Sequence, residues 1–80
     1  MNSIVLESVG SEADDAQKSY GDFASMHEGY GVLVEEMAEL LDAIRLRQGD
    51  PKRPGAIRRE AIQVAAVAAR MAEQAKRVTR

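Results

Sequence analysis

The stretch Tyr30-Gly31-Val32-Leu33-Val34-Glu35-Glu36-Met37-Ala38-Glu39-Leu40-Leu41-Asp42-Ala43-Ile44 decides the fold. At about 100° per residue, Tyr30, Leu33, Val34, Met37, Leu40, Leu41 and Ile44 fall within a stripe roughly 120° wide, the pattern of an amphipathic helix. Ser25 and Glu28 have capping-box spacing and predict a start near Ser25, although Gly29 and Gly31 make a poor first turn by propensity. Gly49 and Pro51 end it. The connection Gly49 to Gly55 holds both prolines of the chain and is short enough to return it as an antiparallel helical hairpin.

After the connection, a third helix is expected from Pro54 or Ala56 almost to the terminus. Ile57, Ala61, Val64, Ala68, Met71, Ala75 and Val78 alternate by four and three, a heptad-like seam. The reverse side carries Ile62, Ala65, Ala66, Ala69 and Ala72, so this helix needs cover on two faces. The economical cover is a second copy, which predicts a homodimer or homotetramer built as a four-helix or larger bundle. Before the hairpin, Ser11 and Asp14 have capping spacing, and Ala13, Ala16, Tyr20, Phe23 and His27 recur on one face, so a helix is expected from Ser11. Residues 1–10, with Ile4, Val5 and Leu6, could form a short strand or a flexible arm.

Composition sets the outer limits. Eighty residues make one all-α domain, 1–80, with a marginal core. No cysteine and a single histidine, His27, exclude a structural zinc site, an iron–sulfur cluster and a thiol nucleophile. No apolar run approaches the roughly 20 residues that cross a bilayer, and the first ten residues lack a basic segment, so a cytoplasmic location without membrane contact is expected. The net charge of −2 argues against a nucleic-acid partner. That small mean conceals a division: five acids and no base lie between Glu28 and Asp42, while Arg45 to Arg59 holds six bases and one acid.

Glu35, Glu36 and Glu39 lie within about one turn and, like Asp42, have no base four residues on, so ordinary helical ion pairing is missing. A solvated acidic face is the plain reading. The alternative is a hard-cation site, in which carboxylate oxygens on neighbouring turns share magnesium. Glu60 favours the alternative, because it projects into the seam of the third helix, where an unpaired charge is costly. Arg58 and Arg59 are poorly placed to pair with it along the helix. In an antiparallel hairpin the start of helix three passes the later half of helix two, at a level where Glu36, Glu39 and Glu60 can converge.

The run His27-Glu28-Gly29-Tyr30-Gly31-Val32-Leu33-Val34-Glu35-Glu36-Met37-Ala38-Glu39-Leu40, followed by Arg59-Glu60-Ala61-Ile62-Gln63-Val64-Ala65-Ala66, resembles the MazG-like branch of the all-α nucleotide pyrophosphohydrolases. That family carries EExxE on one helix and ExxD on the next. The resemblance spans roughly residues 20–75 and implies a helical, self-associating protein that uses magnesium to hydrolyse nucleoside triphosphates to monophosphate and pyrophosphate. It assigns Glu36, Glu39 and Glu60 to the metal and makes Glu35 the acid that orients the attacking water. Gln63 stands where the family has Asp, and a neutral amide can lend an oxygen to magnesium but no charge. Lys52, Arg53, Arg58 and Arg59 are then candidates to hold phosphate, and Tyr30 or Phe23 to stack on the base. A non-catalytic helical dimerisation or interaction module of the same fold is the competing expectation.

Overall fold

Asn2 starts the first helix. Its side-chain oxygen accepts from the backbone N–H groups of Ile4, at 2.8 Å, and Val5, at 3.2 Å, and α1 runs Ser3–Tyr20 in the computed structural model. The structure describes residues 1–78, with side chains through Arg77. The expected start at Ser11 is therefore corrected by two turns: Ser11 and Gly10 are interior to α1, and no strand or bridge forms in residues 3–10. The reason is long-range as much as local. Val5 and Val9, four apart, line a hollow with Ile62 and Ala65, so the N-terminal apolar residues have a helical partner to cover.

Gly21, at φ +70°, ends α1 by a conformation that side-chain-bearing residues rarely adopt. This breaks the expected row of Ala13 to His27: Ala13 and Phe23 are buried, whereas Tyr20 and His27 are exposed. Ser25 then caps α2, Met26–Ile44, by accepting from Glu28 N–H at 3.0 Å, and the Glu28 carboxylate reaches back to Ala24 N–H at 2.9 Å. The expected capping box is present, closed one residue earlier than usual. Gly29 answers a packing need, since a Cβ there would meet Met71 Cγ at 3.0 Å and Phe23 Cδ2 at 3.1 Å.

The chain turns through Gly49, at φ +104°, and α3 runs Arg53–Val78. Arg53 Nε donates to the carbonyl of Ile44 at 3.2 Å, closing an orphan C-terminal group of α2. Both α1 and α2 pack on α3 and not on each other. Gly29 beside Met71, with Ile44 beside Arg53, makes α2 and α3 antiparallel as expected. Glu12 beside Gln63, with Gln17 beside Arg70, makes α1 parallel to α3.

Two apolar assignments shift. On α3 the row Ala56, Glu60, Gln63, Val67, Arg70 and Gln74 turns inward, and Ala61 and Ala68 of the expected seam are exposed; the Val78 side chain lies outside the described residues. Having its own chain on two sides, α3 is aimed by the positions of α1 and α2, not by its largest apolar residues. On α2 the broad stripe divides. Gly29, Leu33, Glu36, Leu40 and Ala43 form the covered row, and Tyr30, Val34, Met37, Leu41 and Ile44 remain in solvent. No self-associated bundle is part of this single chain.

Candidate functional site

Because α1 and α2 stand apart on α3, an open cleft of about 470 Å³ runs between them. Ala66, Val67, Gln63 and Arg70 of α3 line it, with Glu12 and Ala16 from α1 and Val32 and Glu36 from α2. Its closed end is held by one polar knot. Gln74 Oε1 accepts from Phe23 N–H and Gln74 Nε2 donates to Phe23 O, both at 2.9 Å. Arg70 lies 4.4 Å from the centre of the Phe23 ring and donates to Gly21 O at 2.9 Å and to Gln17 Oε1 at 3.3 Å. Phe23 is thus core, with Arg70 and Gln74 both engaged in holding its segment.

The other end is acidic. Glu36 occupies the α2–α3 row between Leu33 and Leu40, and burial is the main cause that lifts its carboxyl above the usual range. Glu39 adds to the rise by its charge and by a shared hydrogen bond, followed by the charges of Glu60 and Glu35. Three predicted acids therefore act on a fourth, so the carboxylates of both helices are close enough to repel. Glu60 is mostly covered, with an 18% exposed side chain, and its Oε2 is buried without a hydrogen-bond partner. Its Oε1 lies 4.0 Å from Arg59 Nε, at the outer limit of an ion pair. Arg59 does approach Glu60 along the helix, contrary to expectation, but at this distance it leaves the other oxygen unanswered.

Gln63 is turned elsewhere. Its Nε2 donates to Glu12 Oε2 at 2.9 Å, tying α3 to α1. Glu12 and Gln63 line both the cleft and a second hollow of about 500 Å³ between α1 and the start of α3, where Arg58 and Arg59 also stand. Lys52 lies in the turn, its N–H donating to Asp50, and Arg53 is engaged with Ile44. Tyr30 is not brought to the cleft; it is 62% exposed on the outer side of α2, and Tyr20 lines the cleft instead. Glu35 and Glu39 are exposed.

Sequence reasoning missed Glu12 and Arg70. A signal existed for Arg70, which continues the four–three spacing of Glu60, Gln63 and Val67. Glu12 has none, because its role depends on where α1 docks.

The crowded carboxylates and the unpartnered Glu60 Oε2 are hard oxygen donors in charge excess, and they suit a hard cation. Among the described residues no three His, Cys, Asp or Glu side chains are drawn together as a ready-made metal cage. Comparison with known protein families, curated proteins and solved structures gives no match for this chain.

Proposed function

We propose that the protein is a magnesium-dependent, MazG-like nucleoside triphosphate pyrophosphohydrolase. The observation that carries the reading is the buried, unpartnered oxygen of Glu60, set beside a Glu36 carboxyl that burial, and after it the neighbouring acids, raises above the usual range. Such an arrangement lowers stability in isolation and is compensated when a cation binds. On this reading Glu36, Glu39 and Glu60 hold magnesium, and Gln63 contributes at most an amide oxygen. Bound magnesium supplies charge neutralisation for the triphosphate.

The chain's own residues do the rest. The apolar part of the cleft, Ala16, Val32, Ala66 and Val67, accepts a nucleoside, with the phosphates directed to the acidic end. Exposed Glu35 accepts a hydrogen bond from the attacking water and orients it. Arg59, the nearest guanidinium to Glu60, can leave its long pairing and hold a phosphate oxygen. Incubating the pure protein with each common NTP and dNTP and magnesium should release pyrophosphate, and Glu60→Gln and Glu39→Gln should each remove that activity while the helices persist. No release from any of them, at high protein concentration, would reject the reading.

The engagement of Gln63 with Glu12 favours a second reading, a non-catalytic helical module, because it uses the family's fourth metal position as a structural tie. Magnesium separates the two. It should raise the melting temperature of the native protein and not that of Glu60→Gln if the site is a metal site, and should leave both unchanged if it is only a tie.

A further inference from the structure

Glu60 and Gln63 stand three residues apart on the inward row of α3, the spacing at which helical side chains are neighbours. Glu60 Oε2 is buried without a hydrogen-bond partner, and leaving such an oxygen unmet is costly. A Gln63 amide N–H is chemically suited to meet it. The donor is spent elsewhere: Gln63 Nε2 donates at 2.9 Å to Glu12 Oε2 of α1.

This tie also decides which way the amide faces. An ionised carboxylate accepts hydrogen bonds and donates none, so Glu12 takes only the nitrogen end of Gln63. Gln63 lines the cleft together with Glu36, and the second hollow together with Glu12 and Arg59. With Nε2 drawn to α1, the end left over is the amide oxygen, to which no described residue donates. Glu60 and Gln63 therefore each keep an unspent oxygen, the atom type that a hard cation takes.

We propose, resting on the magnesium reading above, that Glu12 is a positioning residue for the acidic end of the cleft: it holds the Gln63 amide nitrogen away from Glu60, so that oxygens alone are left for the cation. Glu12 acts through Gln63 and not on the cation itself. Released from Glu12, the amide turns an N–H toward Glu60 Oε2, satisfies that oxygen and withdraws it from the metal. Partners that orient a metal ligand in this way typically govern affinity by about 10- to 100-fold. The docking of α1 on α3 thereby acquires a task beyond packing.

Magnesium titration of the native chain and its variants, followed by calorimetry and by melting temperature, tests this without any substrate. An amide at position 12 meets Gln63 with either of its ends, so Glu12→Gln should weaken magnesium binding by about 10- to 100-fold and shrink the rise in melting temperature that magnesium gives. Glu7→Gln, which removes the same charge from the exposed side of α1 but touches no tie, should bind magnesium as the native chain does. The double variant Glu12→Gln/Gln63→Glu keeps the net charge, rebuilds the tie with its donor on α1 and leaves a carboxylate oxygen for the cation, so it should regain the lost affinity. If Glu12→Gln melts lower without metal yet binds magnesium as tightly as the native chain, or if the double variant regains nothing, the positioning role is overturned while the metal reading stands. No magnesium binding by the native chain overturns both.

Discussion

Glu36 is ionised at a cost. Burial and the charges of Glu39, Glu60 and Glu35 raise its carboxyl, so the folded chain holds that proton more tightly than the unfolded chain does. The stability this gives is complete below the unfolded-state value and is lost as pH rises through the folded-state one. Glu36→Gln, neutral at all pH, escapes the loss. Melted without divalent metal, the variant should therefore gain on the native protein as pH rises through and above the ordinary carboxylate range. The gap should be a few degrees or less, since the carboxyl keeps some solvent contact and exposed neighbours are screened. A difference in melting temperature that stays flat across that range would show that neither burial nor the neighbouring acids raise Glu36. The partnerless oxygen of Glu60 is what a glutamate placed in an apolar seam of the sequence leads one to expect.

Two glycines show how elements differ. Gly10 sits in the middle of α1 with open space where a Cβ would stand, nothing lying within 4 Å, while a Cβ at Gly29 would press on Met71 and Phe23. Gly10→Ala should raise stability by about 0.5–1 kcal/mol through helix propensity alone. Gly29→Leu should lower it by roughly 1–3 kcal/mol, because the α2–α3 contact must open. Urea titrations of both variants measure the pair, and equal effects of the same sign would refute the packing role of Gly29. The limits of α2 and α3 were legible because caps, breakers and periodicity agreed along each helix. The first two turns of α1 were not, because three apolar residues carry no period until Val5 and Val9 are placed against Ile62 and Ala65. In the same way, the breadth of the α2 stripe was readable, but its division into a covered row and an exposed seam required the position of α3.

For the whole molecule, the order of the helices around α3 decides what becomes a site. That Glu60 on α3 would come near enough to Glu36 on α2 for its charge to be felt could be read from the sequence, since hairpin register alone sets the two at one level. The cleft could not, because it exists only where α1 leaves a gap beside α2, and Glu12 and Arg70 gain their roles from that gap. The two flanks are also held differently. Between α1 and α3, the side-chain ties are largely polar: Glu12 with Gln63, Gln17 and Gly21 with Arg70, and Asp22 with Arg77. Arg70 is the buried one, 8% exposed, and its truncation would leave Gly21 O and Gln17 without a donor and a gap beside Phe23. Arg70→Ala should cost about 2–4 kcal/mol. The loss should be local first, since among the described helices α1 packs on α3 and not on α2, and it can separate without disturbing the α2–α3 contact. Native-state hydrogen exchange of Arg70→Ala should accordingly show lost protection along α1 while amides of α2 and the facing half of α3 keep theirs. Equal loss in all three helices would mean that α1 is an inseparable part of the core, and that the cleft is as rigid as the hairpin beneath it.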